Sequence, residues 1–441
     1  MYQDMLKPTS SLYKVLKEEK MLYPSVTEEQ ELYREVFLPV LVHFTEWVLC
    51  EAEKQNISRL YFLARDGYQY YVLADAICKA RKLPIECRYL EGSRFAWRLP
   101  EYHILEKDAI EKICIGGIHV TLEKILRRAG LETQEIIEVA EELQLQDSLE
   151  KELSYADTVG LQPVLKESEK LLTFMKLHSR EAYALTAEYF KQEGLFEKVN
   201  YALVDSGWTG SLQQTLANLL NRYDKKGRKG IKGFYFGLYE LPKRAEERFY
   251  QAFYFKPWKN LRRKATFSNC LFEAIYTAPA GMTCGYYRRE DGRIEAVKET
   301  TDNPNLSRIN DNLQVLERFA GIYADTVQKG HYDVKQVQKL LTELMYRPDR
   351  SEAECLGSYL FSDDVWSSSL QKVAADLTEE EIANQQVINK FLIMTGRKQG
   401  LLKNSAWIEG SIAKCDCNIA KYRWHAYVYK WLIYVRKKLK G

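Results

Sequence analysis

The sequence predicts an α/β protein, with a Rossmann-like parallel sheet, a large helical insertion and a helical C-terminal region. Two stretches support this prediction, because each combines a short apolar strand, a loop containing glycine and charge, and a helix with regularly spaced apolar residues. The first stretch is residues 59–78 and the second is residues 200–223. Residues 85–90 form a further apolar segment, which makes the first stretch a β-α-β unit and therefore parallel.

The N-terminal segment, residues 1–58, is predicted to be helical. Thr27 and Gln30 have the spacing of a capping box. Within residues 32–52, Val36, Val40 and Phe44 fall on one face of a helix. We expect this helix to pack on the α/β core that follows.

The loop of the first unit places charged residues after a strand. Arg65 and Asp66 precede Gly67, and Arg94 follows the second strand at 85–90. Ligands of open parallel sheets bind outside the carboxyl ends of the strands, so these residues are candidates for a site. A solvated turn with a local ion pair is the alternative. Because two such units occur in the chain, we favour the site.

The second unit contains a possible anion-binding loop. Asp205 ends the apolar run 201–204, Gly207 and Gly210 bracket a turn, and a helix is predicted from Ser211 onward. The first N–H groups of a helix, together with the helix dipole, can bind a phosphate. Asp205 can hold a metal ion or sugar hydroxyls beside that phosphate. A capped turn without a ligand explains the same pattern.

The remaining segments complete the predicted domain organisation. The α/β core comprises residues 59–100 and 196–300, with strands expected at 230–239 and 252–255. Residues 101–195 form the helical insertion, with helices expected at 121–129, 133–145, 164–177 and 180–192. Residues 301–441 form the C-terminal helical region, with helices expected at 306–328, 334–345 and 378–394. The aromatic and basic tail at 420–440 is expected to dock on the body of the protein, although an anionic membrane surface fits it too.

Composition narrows the class of protein. The 441 residues are 46% hydrophobic and 28% charged, which predicts a soluble globular protein of two or three domains. A net charge of +3 argues against nucleic-acid binding. Nine scattered cysteines indicate reduced thiols in the cytoplasm, and neither they nor the six histidines have metal-ligand spacing. We expect a cytoplasmic protein, and peripheral contact of residues 420–440 with the inner face of the membrane is the alternative to a docked tail.

Over residues 59–95 and 198–240 the chain resembles the type I phosphoribosyltransferases of purine salvage. Residues 64–68, Ala-Arg-Asp-Gly-Tyr, match a family loop that receives pyrophosphate. The family's signature loop matches at Asp205, Thr209 and Gly210, with Val204 in place of a first acidic residue. The resemblance implies a phosphoribosyltransferase-like sheet order. It also implies that Thr209, Gly210 and Ser211 surround a sugar phosphate and that Asp205 faces the ribose hydroxyls.

From near residue 30 to beyond residue 300, the chain also resembles bacterial proteins found with polysaccharide-synthesis genes and often filed as HAD-superfamily hydrolases. The shared motifs are YFLARDGY at 61–68, GSR at 92–94, VDSGWTGSLQ at 204–213 and LFEAIYTAPAG at 271–281. A HAD nucleophile needs a second Asp two residues after the first. The nearest sequence, Asp205-Ser206-Gly207, lacks that second carboxylate.

From these residues and resemblances we expect an enzyme of cell-surface polysaccharide synthesis that binds a phosphorylated or nucleotide-linked sugar. Arg65, Asp66 and Asp205 are the expected catalytic residues, acting by position and charge, and Asp205 is the expected ligand of Mg²⁺. The expected substrate- or phosphate-binding residues are Ser206, Gly207, Thr209, Gly210, Ser211, Gly67 and Arg94. The alternatives are a HAD-type phosphatase or hydrolase, and a non-catalytic partner of glycan-synthesis proteins that retains an anion-binding loop.

Overall fold

A computed structural model describes residues 2–24, 27–115, 120–223, 230–300, 303–361 and 370–440. The structure belongs to the α/β class, as the sequence predicts, and is built on a five-stranded, all-parallel sheet. Its strands are β1 Arg59–Leu63, β2 Glu86–Leu90, β3 Tyr201–Trp208, β4 Lys232–Leu238 and β5 Tyr250–Phe255. Across the sheet they lie in the order β2-β1-β3-β4-β5. Two antiparallel pairs are separate from this sheet: β6 Thr283–Arg288 with β7 Ile294–Lys298, and β8 Leu360–Phe361 with β9 Gln371–Lys372.

The helices of the first half of the chain precede the sheet, cross over it or form the insertion. They are α1 Ser11–Leu22, α2 Glu28–Leu32, α3 Leu38–Lys54, α4 Gly67–Arg81, α5 Arg94–Leu105, α6 Ile110–Ile113, α7 Leu122–Arg128, α8 Thr133–Glu142, α9 Tyr155–Gly160, α10 Gln162–Glu167, α11 Glu169–Gln192 and α12 Ser211–Tyr223.

The helices of the second half follow the sheet. They are α13 Leu261–Ala265, α14 Asn269–Ile275, α15 Leu306–Thr326, α16 Val334–Leu341, α17 Arg350–Gly357, α18 Glu379–Asn384, α19 Val387–Met394, α20 Ile408–Lys414 and α21 Ile419–Lys440.

Helices cover both faces of the parallel sheet. Alternate residues of a strand point to opposite faces, so each strand contributes to two cores. On one face, Phe62 and Val204 lie in a cluster with Leu73 of α4 and with much of α3. On the other face, Leu203 lies in a cluster with Leu216 of α12. The sheet is therefore doubly wound, and its inner strands β1, β3 and β4 are largely apolar because both of their faces are covered.

The central strand β3 is longer than the sequence predicts. The apolar run ends before Asp205, but the strand continues through Ser206 and Gly207 to Trp208 and remains paired with β4. Gly207 permits this pairing because its φ is +133° and a Cβ there would lie 1.9 Å from the carbonyl oxygen of Gly237. The predicted turn from Gly207 to Gly210 is therefore wrong, and only Thr209 and Gly210 separate β3 from α12.

Every regular element described between β2 and β3 is a helix, from α5 to α11. These helices enclose an apolar core of their own, with Ile110, Ile125, Val139 and Leu171 among its buried members. The prediction of two helices at 164–177 and 180–192 is wrong, because α11 runs continuously through that junction. No Gly or Pro interrupts the junction, and the hydroxyl of Ser179 donates a hydrogen bond to the carbonyl of Lys176 at 3.3 Å.

The C-terminal region differs from the prediction at 378–394, where one expected helix is divided into α18 and α19. Near the break, the side chain of Gln385 donates to the carbonyl of Lys403 at 2.8 Å, which ties this turn to a later loop. The tail forms α21, which packs on α13 and α20 as the docked-helix interpretation predicts. None of the helices in the described part of the chain is long and apolar enough to cross a bilayer.

Candidate functional site

The predicted site residues lie where the chain reverses its direction across the sheet. From β1 the chain crosses by α4 to β2, and from β3 it crosses by α12 to β4, on the opposite face. Since β1 and β3 are neighbours, their carboxyl ends form the topological switch point of the sheet. Arg65 and Asp66 follow the end of β1. Phe62 of β1 pairs with Val204 of β3, and Asp205 is the next residue of β3.

Three carboxyl groups meet at this switch point, and we call Asp66, Asp205 and Glu273 the carboxylate cluster. Burial raises the pKa of Asp66 well above its usual range, and the nearby Glu273 and Asp205 carboxylates raise it further. Like charges this close oppose each other's ionisation. Asp66 and Asp205 therefore hold their protons more tightly than separate carboxyl groups in water would.

Asp205 is the best-defined member of the cluster. The backbone N–H of Ser206 donates a hydrogen bond to Asp205 Oδ1 at 2.9 Å. Burial raises the pKa of Asp205 to about 7, and Glu273 adds to this rise, while the Ser206 and Gly207 N–H groups and Arg94 oppose it. Asp205 thus titrates near neutral pH, where a carboxyl group can both accept and release a proton.

Glu273 belongs to the carboxylate cluster, although the sequence favours a partly exposed helix residue at this position over a carboxylate of the site. It lies on α14 and accepts a hydrogen bond from the indole Nε1 of Trp208. Trp208 in turn lies at the end of β3 and packs against Phe267 and Phe272, whose rings are 5.3 and 5.8 Å away. The available sequence signal was the motif LFEAIYTAPAG, which contains Glu273. Its link to β3 depends on a tertiary contact.

Two arginines lie beside the carboxylate cluster. Arg65 and Arg94 both have exposed side chains, and both favour the ionised form of Asp66 and so oppose the rise in its pKa. Arg94 acts in the same way on Asp205. The structure therefore brings together Arg65, Asp66, Arg94 and Asp205, which come from three separate segments of the chain.

The motif Gly92-Ser93-Arg94 sets the position of Arg94. Ser93 caps α5, since its Oγ accepts a hydrogen bond from the N–H of Ala96 at 2.9 Å. The same hydroxyl donates to the carbonyl of Thr283 at 2.6 Å and so joins the motif to β6. Gly92 is required because a Cβ there would lie 2.3 Å from the ring of Trp97. Arg94 consequently begins α5 at a fixed place beside the switch point.

The predicted anion-binding loop consists of Thr209 and Gly210, followed by the first turn of α12. Gly210 has a φ of +62°, and a Cβ there would lie 2.7 Å from the ring of Tyr250. The hydroxyl groups of Thr209 and Ser211 are 3.3 Å apart. This loop presents two hydroxyl groups together with the N-terminus of a helix three turns long, which is a suitable surface for a phosphate.

The other predicted residues are more enclosed. The Oγ of Ser206 is buried, 3.1 Å from the hydroxyl of Tyr70. Gly67 begins α4, where a Cβ would lie 2.9 Å from the backbone of Phe62. Gly207 contributes the N–H that stabilises ionised Asp205. These three residues fix the backbone around Asp66 and Asp205. Their roles in binding a substrate remain predictions.

Within the described residues, no group of three or more His, Cys, Asp and Glu side chains is arranged to hold a metal ion. Asp205 and Asp66 could supply at most a partial set of ligands. Mg²⁺ commonly keeps several waters and is bound by one or two carboxylates plus substrate phosphates. The residues present fit a metal bound in that way, shared with a phosphorylated substrate.

Neither a scan against protein-family models nor a search of curated proteins found a match to this chain.

Proposed function

We propose that the carboxylate cluster and the two adjacent arginines bind a phosphorylated or nucleotide-linked sugar and transfer a group from it to an acceptor hydroxyl, in cell-surface polysaccharide synthesis. The proposal rests on one observation: Asp205, whose pKa is about 7, lies at the switch point beside Asp66 and two arginines, Arg65 and Arg94. Open parallel sheets bind ligands at such points, and strongly shifted pKa values are concentrated at functional sites.

The arginines and the loop before α12 would bind the phosphate groups. Arg65 and Arg94 can each make forked hydrogen bonds to phosphate oxygens and neutralise their charge. The N-terminus of α12, with the hydroxyls of Thr209 and Ser211, offers a second place for phosphate. The resemblance to phosphoribosyltransferases supports this assignment, because the matching loop of that family binds a sugar phosphate. We also propose that the parallel sheet has the strand arrangement of a phosphoribosyltransferase.

Asp205 would act as the general base. The acceptor oxygen forms a bond to the transferred group while the bond from that group to the donor's phosphate oxygen breaks. The acceptor's proton passes to Asp205, and the phosphate leaves with the bonding electron pair. A base with a pKa of about 7 suits this step at neutral pH better than an ordinary carboxylate. Arg65 and Arg94 would stabilise the charge that develops on the leaving phosphate.

Asp66 would bind the substrate as a neutral acid. Its pKa is raised well above the usual range by burial and by the neighbouring carboxylates, so its proton can be donated to a substrate oxygen. In a reaction that uses Mg²⁺, the ion would instead displace these protons and be held by the ionised carboxylates of Asp205 and Asp66 together with donor phosphates, and it would neutralise phosphate charge.

Calorimetric titration tests the binding step. The ligands are phosphoribosyl pyrophosphate and a panel of nucleotide sugars, each with and without Mg²⁺. We expect at least one to bind the purified chain, and we expect Arg65→Ala to weaken its binding by about 10- to 100-fold, the effect of a charged hydrogen bond. Arg289→Ala is the matched control, since Arg289 is an exposed arginine on the β6–β7 turn. Absence of binding by every ligand would refute the proposal.

Turnover of the donor that binds tests the chemistry. Asp205→Asn preserves the shape of the side chain and should lower the turnover rate by about 10²- to 10⁴-fold, the usual contribution of a general base. Rates as high as those of the unaltered chain would disprove the role of Asp205. Consumption of donor without an added acceptor would identify hydrolysis, with water in place of the acceptor hydroxyl, and would favour the hydrolase alternative.

A further inference from the structure

Two neighbouring helices in the C-terminal region leave large apolar side chains in solvent. On α19, Ile388, Phe391 and Met394 are between 60 and 71% exposed, and no residue of this fully described helix is buried. On α21, Trp424 is 58% and Trp431 is 39% exposed. Single exposed apolar residues are common on soluble proteins, whereas a group of them marks an interaction surface. We call these five residues the docking surface.

The two helices that carry the docking surface are anchored by other side chains, α21 to α20 and α19 to α21. On α21, Trp424 and Trp431 are seven residues apart and therefore share one face of the helix. On another side of the helix, Lys430 Nζ lies 2.8 Å from the buried carboxylate of Glu409, which fixes α21 to α20. Lys390 of α19 lies 4.3 Å from the ring centre of Tyr429, so α19 packs beside α21.

The segment that carries the docking surface is mainly basic, although the acidic first turn of α18, Glu379–Glu381, lies beside it. Residues 387–440 contain twelve lysines and arginines but only two acidic residues, Glu409 and Asp416. Because the net charge of the chain is only +3, the rest of the chain is acidic. Arg397, Lys398 and Lys421 are exposed. The apolar side chains therefore belong to a segment with a net positive charge.

We propose that the docking surface binds an anionic lipid bilayer, with α21 lying in the plane of the lipid headgroups. Tryptophan favours the membrane–water interface, because its ring is apolar while its N–H can still hydrogen-bond. Basic residues beside an apolar helix face add electrostatic attraction to anionic headgroups. A second copy of this chain is a poor occupant, because docking two such surfaces would bring like charges together.

The same helix borders the candidate functional site. The ring of Tyr434 stacks on Tyr239 with ring centres 5.4 Å apart, and Lys437 Nζ lies 3.4 Å from Glu240. Tyr239 follows β4, and its N–H donates to the carbonyl of Trp208 at 2.8 Å. A bilayer bound to α21 would consequently lie beside the edge of the sheet that carries the carboxylate cluster.

Co-sedimentation of the full-length chain with vesicles tests this proposal, and it is independent of any enzymatic activity. One vesicle preparation contains phosphatidylcholine alone, and the other contains phosphatidylcholine with phosphatidylglycerol. We expect binding to the anionic vesicles only. The double variant Phe391→Ser, Trp424→Ser should bind at least about tenfold more weakly, because two exposed aromatic side chains no longer enter the bilayer. The double variant Lys398→Glu, Lys421→Glu should lose a similar factor.

Matched controls come from exposed residues elsewhere in the chain. Tyr155→Ser with Leu177→Ser removes apolar groups that are 75 and 51% exposed on the helical insertion. Lys198→Glu with Arg293→Glu reverses two exposed charges remote in sequence from α19 and α21. Both controls should bind anionic vesicles like the unaltered chain. Equal binding by the test and control variants, equal binding to neutral vesicles, or no binding at all would overturn the proposal.

Discussion

Replacing Asp205 by asparagine should stabilise the protein, and should do so more at pH 8 than at pH 5. Asp205 has a pKa of about 7 in the folded chain, against 3.8 for an unperturbed aspartate. The folded state therefore binds this proton more tightly than the unfolded state. As the pH rises from about 4 to about 7, the unfolded chain loses the proton first, so the free energy of unfolding falls.

The size of the effect follows from the two pKa values. A difference of about three pKa units costs the folded state about 4 kcal/mol once both states are ionised, as at pH 8. At pH 5 the folded carboxyl group is still protonated, and the cost is about 2 kcal/mol. Asparagine has nearly the same shape and no charge, so it avoids both costs. We expect the gain from Asp205→Asn at pH 8 to exceed the gain at pH 5 by about 2 to 3 kcal/mol.

Urea-induced unfolding at the two pH values measures this difference. Asp147→Asn is the control, because Asp147 is exposed on the helical insertion and its replacement should have the same small effect at both pH values. An equal gain from Asp205→Asn at both pH values would mean that burial does not hold the proton. A loss of stability at pH 8 would mean that ionised Asp205 is favourable in the folded chain, and it would refute the raised pKa of Asp205.

Two further predictions concern Gly207 of the central strand and Glu101, a buried carboxylate on α5, and urea unfolding measures both. Gly207→Ala should lower the free energy of unfolding by more than about 3 kcal/mol, since its Cβ would lie 1.9 Å from a carbonyl oxygen of β4. The control Gly285→Ala meets open space and should be nearly neutral. Glu101→Ala should cost about 3 kcal/mol, because it leaves the donors around a fully buried carboxylate, Lys112 among them, without their acceptor. The exposed Glu111→Ala is its control, and similar losses from each variant and its control would contradict the two arguments.

The sequence predicted the fold class because strand-loop-helix patterns are local. Strands β1 and β3 begin with largely buried apolar runs, and each run is followed at once by a charged or glycine-containing segment. The positions of Arg65, Asp66 and Asp205 at strand ends follow from that local order alone. These residues lie together because β1 and β3 pair in parallel. The sequence indicates both strands, but it does not show which strands are neighbours.

Two features depend on contacts that no local pattern records. The polar residues Asp205, Ser206 and Gly207 resemble a loop, yet β4 pairs with them and extends the strand. Glu273 resembles an exposed helix residue, yet the indole of Trp208 binds it and joins α14 to the site. In both cases a long-range partner overrides the local preference.

The order of the strands also bears on how the chain is assembled during synthesis. β1 has β2 on one edge and β3 on the other, but β3 emerges from the ribosome only after the entire helical insertion. Until then one edge of β1 has no strand to pair with, which is a hazard for aggregation. The insertion, with its own apolar core, precedes the closure of that edge. Asp205 is made as part of β3 and Glu273 follows it, so the three carboxyl groups come together only after Asp66, the insertion and β3 have all been made.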